Sequence, residues 1–174
     1  MSGEQLTIIV LRLFHILSGV FWVGSAIMVS RFLFPSIAAL GPAGGKVMHE
    51  IGQVRKFPVY VNVAAMLTLL SGIGLYWRAI STAGPAWAHT HMGMTFSLGA
   101  LLAICAAVVG NVVSRPAAKK MGMITEQVAA SGGVPTPEQG AMLGELRDRL
   151  MKAGRVLMVL LVLATAMMAI ARYM

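Results

Sequence analysis

Long apolar runs alternate with charged segments along this chain, and this pattern predicts membrane-spanning helices. A helix crosses the roughly 30 Å hydrocarbon core of a bilayer in about 20 residues. The first run has no charged side chain from Leu13 to Ser30, and Gly84 with Pro85 marks a turn between the second and third runs. We therefore predict four transmembrane helices, at about 6–34, 57–80, 91–114 and 152–173.

The segment before the fourth span has the spacing of an amphipathic helix. Apolar residues recur every four positions, at Met142, Leu146 and Leu150. Oppositely charged residues also lie four positions apart, which favours ion pairs along one helix face. The two pairs are Glu145 with Arg149 and Asp148 with Lys152. Residues 130–137, which contain Gly, Pro, Ser and Thr, predict a solvated turn before this helix.

The composition is that of a membrane protein and excludes a soluble domain. Hydrophobic residues make up 57% of the 174 positions and charged residues 11%, and the mean hydropathy is +0.78. Soluble domains carry about 25% charged residues. The predicted fold is therefore a single all-α integral membrane domain, residues 1–174, that forms a four-helix bundle in the lipid bilayer. The lone Cys105 excludes an intrachain disulfide.

Basic residues are distributed unevenly among the connecting segments. Eleven of the 14 Lys and Arg residues lie within 31–57 and 115–155. Segments rich in Lys and Arg remain in the cytoplasm. We therefore expect segments 31–57 and 115–155 on the cytoplasmic side of a bacterial inner membrane, and both termini on its outer, periplasmic side. The net charge of +8 is then a topology signal, and no binding to nucleic acid is expected. No basic segment precedes the first run, so we expect it to remain as a helix rather than a cleaved signal peptide.

His15 lies about a third of the way along the first span, where an ionisable side chain is costly and usually faces the bundle interior. Gly19 follows one turn later, and Trp22 lies on the same face. A flat cofactor on this face would use the space left by the missing side chain of Gly19. The alternative is a structural histidine that donates a hydrogen bond to a backbone carbonyl or to a neighbouring Ser or Thr.

The second and third predicted spans place a glycine and two histidines at about the same depth of the bilayer as His15. Gly72 lies near the outer end of the second span, and His89 and His91 precede the third. Histidines on different helices, with glycines around them, suit bis-histidine ligation of haem b in a bundle. Side chains two residues apart on a helix point about 200° apart, so only one of the pair can face His15. We predict His91, which lies deeper, with His89 as the alternative.

Cationic side chains near this site suggest how the haem propionates would be held. Arg12 and Arg78 are the candidates, because a guanidinium group forks well onto a carboxylate. Both could instead anchor the chain at lipid headgroups, and the glycines could serve only to let helices approach closely. The predicted iron ligands are His15 and His91, and the predicted cofactor contacts are Gly19, Trp22, Arg12, Gly72 and Arg78.

Two other interpretations of the histidines remain open. His89 and His91 lie beside Met92 and Met94, and imidazole and thioether groups both bind copper. A copper-handling membrane protein would capture metal at this outer cluster. The third interpretation is a structural or assembly subunit whose histidines are incidental.

Two motifs resemble a known family. The segments L-F-H at 13–15 and F-W-V-G at 21–24 are similar to the F-H-x6-W-x-G pattern of the first helix in the copper resistance protein D (CopD) superfamily and its relatives, including the HemJ-type protoporphyrinogen oxidases. W-A-H-T-H at 87–91 resembles the W-L-H-V-K opening of the corresponding HemJ-type helix, with His91 in the lysine position. The resemblance covers the first three spans. It implies a haem-binding bundle with a first-helix histidine as axial ligand, or a role in copper passage, and the missing lysine argues against porphyrinogen oxidase activity.

The function expected from these features is electron transfer by a membrane-bound haem protein, between the quinone pool and an outward-facing redox partner. Such a protein could act as a haem-dependent oxidoreductase. Four short helices can scarcely enclose a porphyrin, so we also expect a homodimer joined through small-residue faces.

Overall fold

Helices account for nearly all of the described chain. The computed structural model describes residues 2–174, apart from the side chain of Pro42. Over these residues the α-helices are α1 Gly3–Met28, α2 Phe34–Ala39, α3 Pro42–His49, α4 Phe57–Ala83, α5 His91–Val108, α6 Arg115–Ala130 and α7 Pro137–Ile170. They are joined or extended by π-helical segments, Val29–Leu33, Glu50–Val54 and Val109–Ser114, and by 3₁₀ segments, Pro85–His89 and Ala171–Tyr173.

Four of the continuous helical stretches are long and apolar enough to cross a membrane. They comprise Gly3–Ala39, Phe57–Ala83, His91–Ala130 and Pro137–Tyr173. The predictions of an all-α, multi-pass membrane protein with four spanning helices are therefore confirmed. All four stretches extend beyond the expected spans, most of all the third and fourth, in which amphipathic segments continue the same helices.

Proline explains the unusual turns inside two of these stretches. Pro35 and Pro116 each lie two residues after the end of a π-helical segment. Proline lacks an amide hydrogen, and its ring collides with the carbonyl group four residues earlier. The wider π turn accommodates the ring, so the chain remains helical where the sequence pattern predicted the ends of spans.

The described chain divides into two compact units. The first unit comprises the residues up to Ser25, Pro58–Cys105 and Val159–Met174. Apart from Trp22 and Leu161, its buried positions are small residues, and Gly99 of α5 approaches α7 so closely that a Cβ would lie 3.2 Å from Met167 Cβ. Small residues allow this close approach between membrane helices, and most of the large apolar side chains of α1 are exposed.

The second unit comprises Ala26–Phe57 and Ala106–Met158 and has an apolar core of its own. Ala117, Ile124 and Val128 of α6 pack against Leu146 and Leu150 of α7. Of the three apolar residues predicted to recur along this helix, Leu146 and Leu150 are thus buried, while Met142 is exposed. The turn predicted at 130–137 lies between α6 and α7 and contains two glycines with positive φ, Gly132 and Gly133.

Polar side chains define the beginning of α7. Thr136 Oγ1 accepts a hydrogen bond from the Gln139 amide at 3.2 Å, and Gln139 Oε1 accepts one from the Thr136 amide at 3.0 Å. This reciprocal capping box satisfies amide groups that have no partner within the helix. Hydrogen bonds from the backbone and from Thr136 hold the pKa of Glu138 below its ordinary value.

The ion pairs expected along α7 are not formed. Within residues 2–174 the paired charges are Arg55 with Glu50, at 2.9 Å, and Arg78 with Glu4, at 2.7 Å. Exposed ion pairs gain little free energy against the cost of fixing two long side chains. The charged residues on the predicted face of α7 therefore remain available to other partners.

Candidate functional site

His15 of α1 lies in the first unit, half-buried against α4. Its Nδ1 lies 2.8 Å from the backbone carbonyl oxygen of Thr68. A carbonyl oxygen can only accept, so this contact requires that Nδ1 carry the hydrogen and donate it. In the imidazole tautomer that carries its hydrogen on Nδ1, the lone pair is on Nε2.

Gly72 provides the surface on which the imidazole ring rests. A Cβ at this position would lie 2.9 Å from His15 Cε1 and 3.2 Å from Nδ1. Both distances are shorter than a van der Waals contact, so a side chain here would displace the ring. Glycine is therefore required for His15 to approach the α4 backbone and reach the Thr68 carbonyl.

Hydroxyl groups complete the polar surroundings of the ring. Ser71 and Thr68 are buried, at 5% and 8% exposure. The nearest acceptor for the Ser71 hydroxyl is the Leu67 carbonyl oxygen at 2.5 Å, and Ser71 Oγ lies 3.2 Å from the Thr68 carbonyl oxygen and 3.5 Å from His15 Nδ1. Ser18 Oγ of α1 lies 2.9 Å from Thr68 Oγ1, which donates to the Ala64 carbonyl at 2.8 Å. These hydrogen bonds fix the relative position of α1 and α4 at the level of the histidine.

The second ring nitrogen of His15 has no such partner. Nε2 makes no hydrogen bond to the described part of the chain, and no side-chain nitrogen or oxygen there is both buried and unpaired. Nε2 is therefore not fully buried. A ring held at Nδ1, with Nε2 unpartnered among the described residues, is compatible with both predicted roles of His15, metal ligand and structural histidine.

The remaining predicted contacts on α1 and α4 have different surroundings. Gly19 faces Thr68, and a Cβ there would lie 3.6 Å from Thr68 Cγ2, an ordinary contact. Trp22 is buried at 3% exposure, whereas Arg12 is exposed. Arg78 donates to the Glu4 carboxylate. This ion pair joins the start of α1 to the end of α4. Of the two cations predicted to hold the propionates, Arg12 is therefore the one without an ion-pair partner among the described residues.

His89 and His91 flank the beginning of α5, and both side chains are exposed. Thr90 between them caps the helix, because its Oγ1 accepts a hydrogen bond from the Gly93 amide at 3.1 Å. Neither imidazole has a hydrogen-bond partner within residues 2–174. Both are thus free to bind a ligand, and the choice between them stays a prediction.

An aromatic cluster holds the segment that carries these histidines. Trp87 stacks on Phe96 of α5, with ring centroids 6.2 Å apart, and meets Tyr76 of α4 edge-on at 5.4 Å. Tyr76 Oη lies 2.7 Å from Ser97 Oγ, which itself donates to the Gly93 carbonyl. The loop between α4 and α5 is therefore attached to both helices.

The sequence interpretation missed Thr68 and Ser71 as partners of the histidine. The available signal was their spacing with Gly72: polar residues at i and i+3 and glycine at i+4 lie on one helix face in an otherwise apolar run. Small polar residues on such a face are typical of contacts between membrane helices. That face of α4 is the one in contact with His15.

The chemistry available at the site is that of an imidazole that binds the protein through Nδ1 and leaves Nε2 without a partner among residues 2–174. Within residues 2–174 no group of three or more His, Cys, Asp or Glu side chains could hold a metal ion by itself. A metal that arrives with its own equatorial ligands needs only one or two axial donors from the protein.

Comparison of the chain with protein-family models, curated proteins and solved structures finds no match.

Proposed function

We propose that this chain is an integral membrane protein that binds b-type haem, in which His15 Nε2 would be a ligand of the iron. The observation that carries the proposal is the hydrogen bond from Nδ1 to the Thr68 carbonyl. Metal-binding histidines commonly donate their other ring hydrogen to a backbone carbonyl, which fixes the tautomer and makes the ligating nitrogen more basic. Gly72, which allows the ring to reach that carbonyl, supports the same role.

A second axial ligand would come from the beginning of α5. His91 is the proposed ligand and His89 the alternative, because both side chains are exposed and unpaired within the described residues. Of the two cations proposed for the propionates, Arg12 is the better candidate, since Arg78 already binds Glu4. Gly19, Trp22 and Gly72 are the proposed contacts of the porphyrin on the first unit.

When bound, the haem would supply one-electron redox chemistry. The chain's own residues would orient the ligating imidazole, exclude water with apolar side chains and set the basicity of Nε2 through the Thr68 carbonyl. We propose electron transfer between the quinone pool and an outward-facing partner, with both termini on the outer side. The exposed apolar surfaces of the spanning helices leave room for a second copy, so a homodimer belongs to the proposal.

Copper handling is the second candidate function. It rests on the exposed imidazoles of His89 and His91 together with Met94, whose side chain is 50% exposed. These are donor groups suited to copper. In this alternative His15 would have only the structural role of joining α1 to α4.

Visible absorption and elemental analysis of the purified protein separate the two functions. The protein is expressed in a host that makes haem, purified in a mild detergent and assayed for haem b by its pyridine complex and for copper. We expect haem in stoichiometric proportion to the chain, with a sharp Soret band, and copper only in traces. A colourless protein with stoichiometric copper would support the second function, and a protein with neither would contradict both.

A further inference from the structure

The second unit contains a groove with a volume of about 570 Å³ that none of the proposed haem chemistry uses. It lies between the π-helical segment that ends α5 and one face of α7. Its apolar part is formed by Val109 and Val113 on one side and by Ala153 and Val156 on the other. Its volume is within the range of about 300–1,000 Å³ that small-molecule sites occupy.

Four charged side chains line the other part of the groove, and they come from a single face of α7. They are Glu145, Asp148, Arg149 and Lys152. All four are exposed, and none closes an ion pair within the described residues. Positive and negative groups are thus both available to a ligand in the same groove.

The order of these groups along α7 is the order of chemical groups in one class of lipid. The acidic pair comes first, the basic pair follows, and the apolar groove residues Ala153 and Val156 come last. Glu145 and Arg149 are four positions apart, and so are Asp148 and Lys152. Four positions correspond to about 6 Å along the helix. A zwitterionic phospholipid presents an ammonium group, then a phosphate, then acyl chains, in the same sequence from water into the bilayer.

We propose that this groove binds a phospholipid with a primary-amine headgroup, of phosphatidylethanolamine chemistry. Arg149 and Lys152 hold the phosphate, Glu145 and Asp148 accept hydrogen bonds from the ammonium group, and an acyl chain lies against the apolar part of the groove. Charge-assisted hydrogen bonds to both ends of the headgroup give the selectivity. A quaternary ammonium headgroup has no N–H to donate, and a glycerol headgroup has no cation.

Lipid selectivity of the purified, full-length protein tests this proposal. The protein is exchanged into mixed micelles with equimolar phosphatidylethanolamine, phosphatidylcholine and phosphatidylglycerol of matched chains, and bound lipid is counted by native mass spectrometry. We expect one phosphatidylethanolamine molecule per chain, bound in preference to the other two. Equal binding of the three lipids, preference for phosphatidylglycerol, or no retained lipid would each overturn the proposal.

Matched variants place the lipid in this groove. Arg149→Gln and Lys152→Gln should each weaken phosphatidylethanolamine binding about twofold to fivefold, the range expected for a contact at a solvent-exposed rim. Arg147→Gln is the control, because Arg147 is also exposed on α7 but does not line the groove. An equal loss with Arg147→Gln would show general charge attraction and would overturn the proposal.

The acidic pair has a distinct expected effect. Glu145→Gln combined with Asp148→Asn should leave phosphatidylcholine binding unchanged and abolish the preference for phosphatidylethanolamine over it. A preference that survives this double change would exclude the ammonium contact and overturn the proposal. The Soret band of the same samples should not change, since no residue that lines the groove is a proposed haem ligand or haem contact, so failure of either proposal can be recognised separately.

Discussion

At the scale of single residues, the candidate site depends on one hydrogen bond and one missing side chain. The Thr68 carbonyl fixes which nitrogen of His15 carries hydrogen, and Gly72 lets the ring approach it. The sequence predicted that His15 faces a partner, and it left a metal ligand and a carbonyl-bound histidine as alternatives. The structure shows that the Thr68 carbonyl contacts Nδ1, which leaves Nε2 as the nitrogen that could bind a metal.

Gly72→Ala should displace the imidazole and weaken haem binding. The new Cβ would lie 2.9 Å from His15 Cε1, and overpacking of this kind costs about 1–3 kcal/mol. If this free-energy cost arises from displacement of the His15 imidazole, haem affinity falls by roughly fivefold or more. Haem titration of the detergent-solubilised protein, followed at the Soret band, measures this change.

Gly74→Ala is the matched control in the same helix. Its Cβ would lie 3.3 Å from Leu11 Cδ1, the end of a flexible side chain that can move aside. Haem affinity should stay within about twofold of the original protein. Equal losses for the two variants would mean that Gly72 matters for helix packing alone.

At the scale of helices, the apolar pattern predicted which segments are helical but not where the helices end. The predicted ends at 34 and 114 lie next to Pro35 and Pro116, and proline normally terminates a helix. The structure retains helical continuity through a π turn, which depends on packing of the following segment. The spacing of Thr68, Ser71 and Gly72 indicates the contact face of α4, but which helix meets that face depends on packing, so the sequence could not provide the contact with His15.

The capping box of α7 should make a measurable contribution to the stability of the second unit. Thr136→Ala removes the acceptor of the Gln139 amide and should lower the free energy of unfolding by about 1 kcal/mol. Thr125→Ala is the control, because the Thr125 hydroxyl only bonds the Met121 carbonyl within α6. Denaturant unfolding followed by circular dichroism compares the two, and an equal or greater loss for Thr125→Ala would contradict the capping assignment.

Acid should loosen the first turn of α7. The folded-state pKa of Glu138 lies below its ordinary value, so the unfolded state binds more protons in the acid range and the stabilisation disappears as the pH falls through the folded-state pKa. Hydrogen exchange at the Gln139 amide should therefore show less protection in acid, after correction for intrinsic rates. Glu138→Gln should remove this dependence, and an unchanged profile would contradict the role of the carboxylate.

At the scale of the whole molecule, composition and charge predicted a four-span membrane protein, and the helices confirm that class. Sidedness stays a prediction from the basic segments. In a Cys105→Ser background, Gly140→Cys should resist an impermeant maleimide added to spheroplasts, whereas Tyr173→Cys should react. Both positions are exposed on the protein. The reverse labelling pattern would invert the topology.

The central claim is that His15 Nε2 ligates haem iron, and rescue by free imidazole tests it most directly. The measurement is the Soret absorption of His15→Gly, with and without imidazole, beside His49→Gly as a control on an exposed histidine. We predict that His15→Gly loses the low-spin spectrum or the haem, that imidazole restores the low-spin band by occupying the vacated position, and that His49→Gly is unchanged. A native spectrum in His15→Gly without imidazole would contradict the assignment.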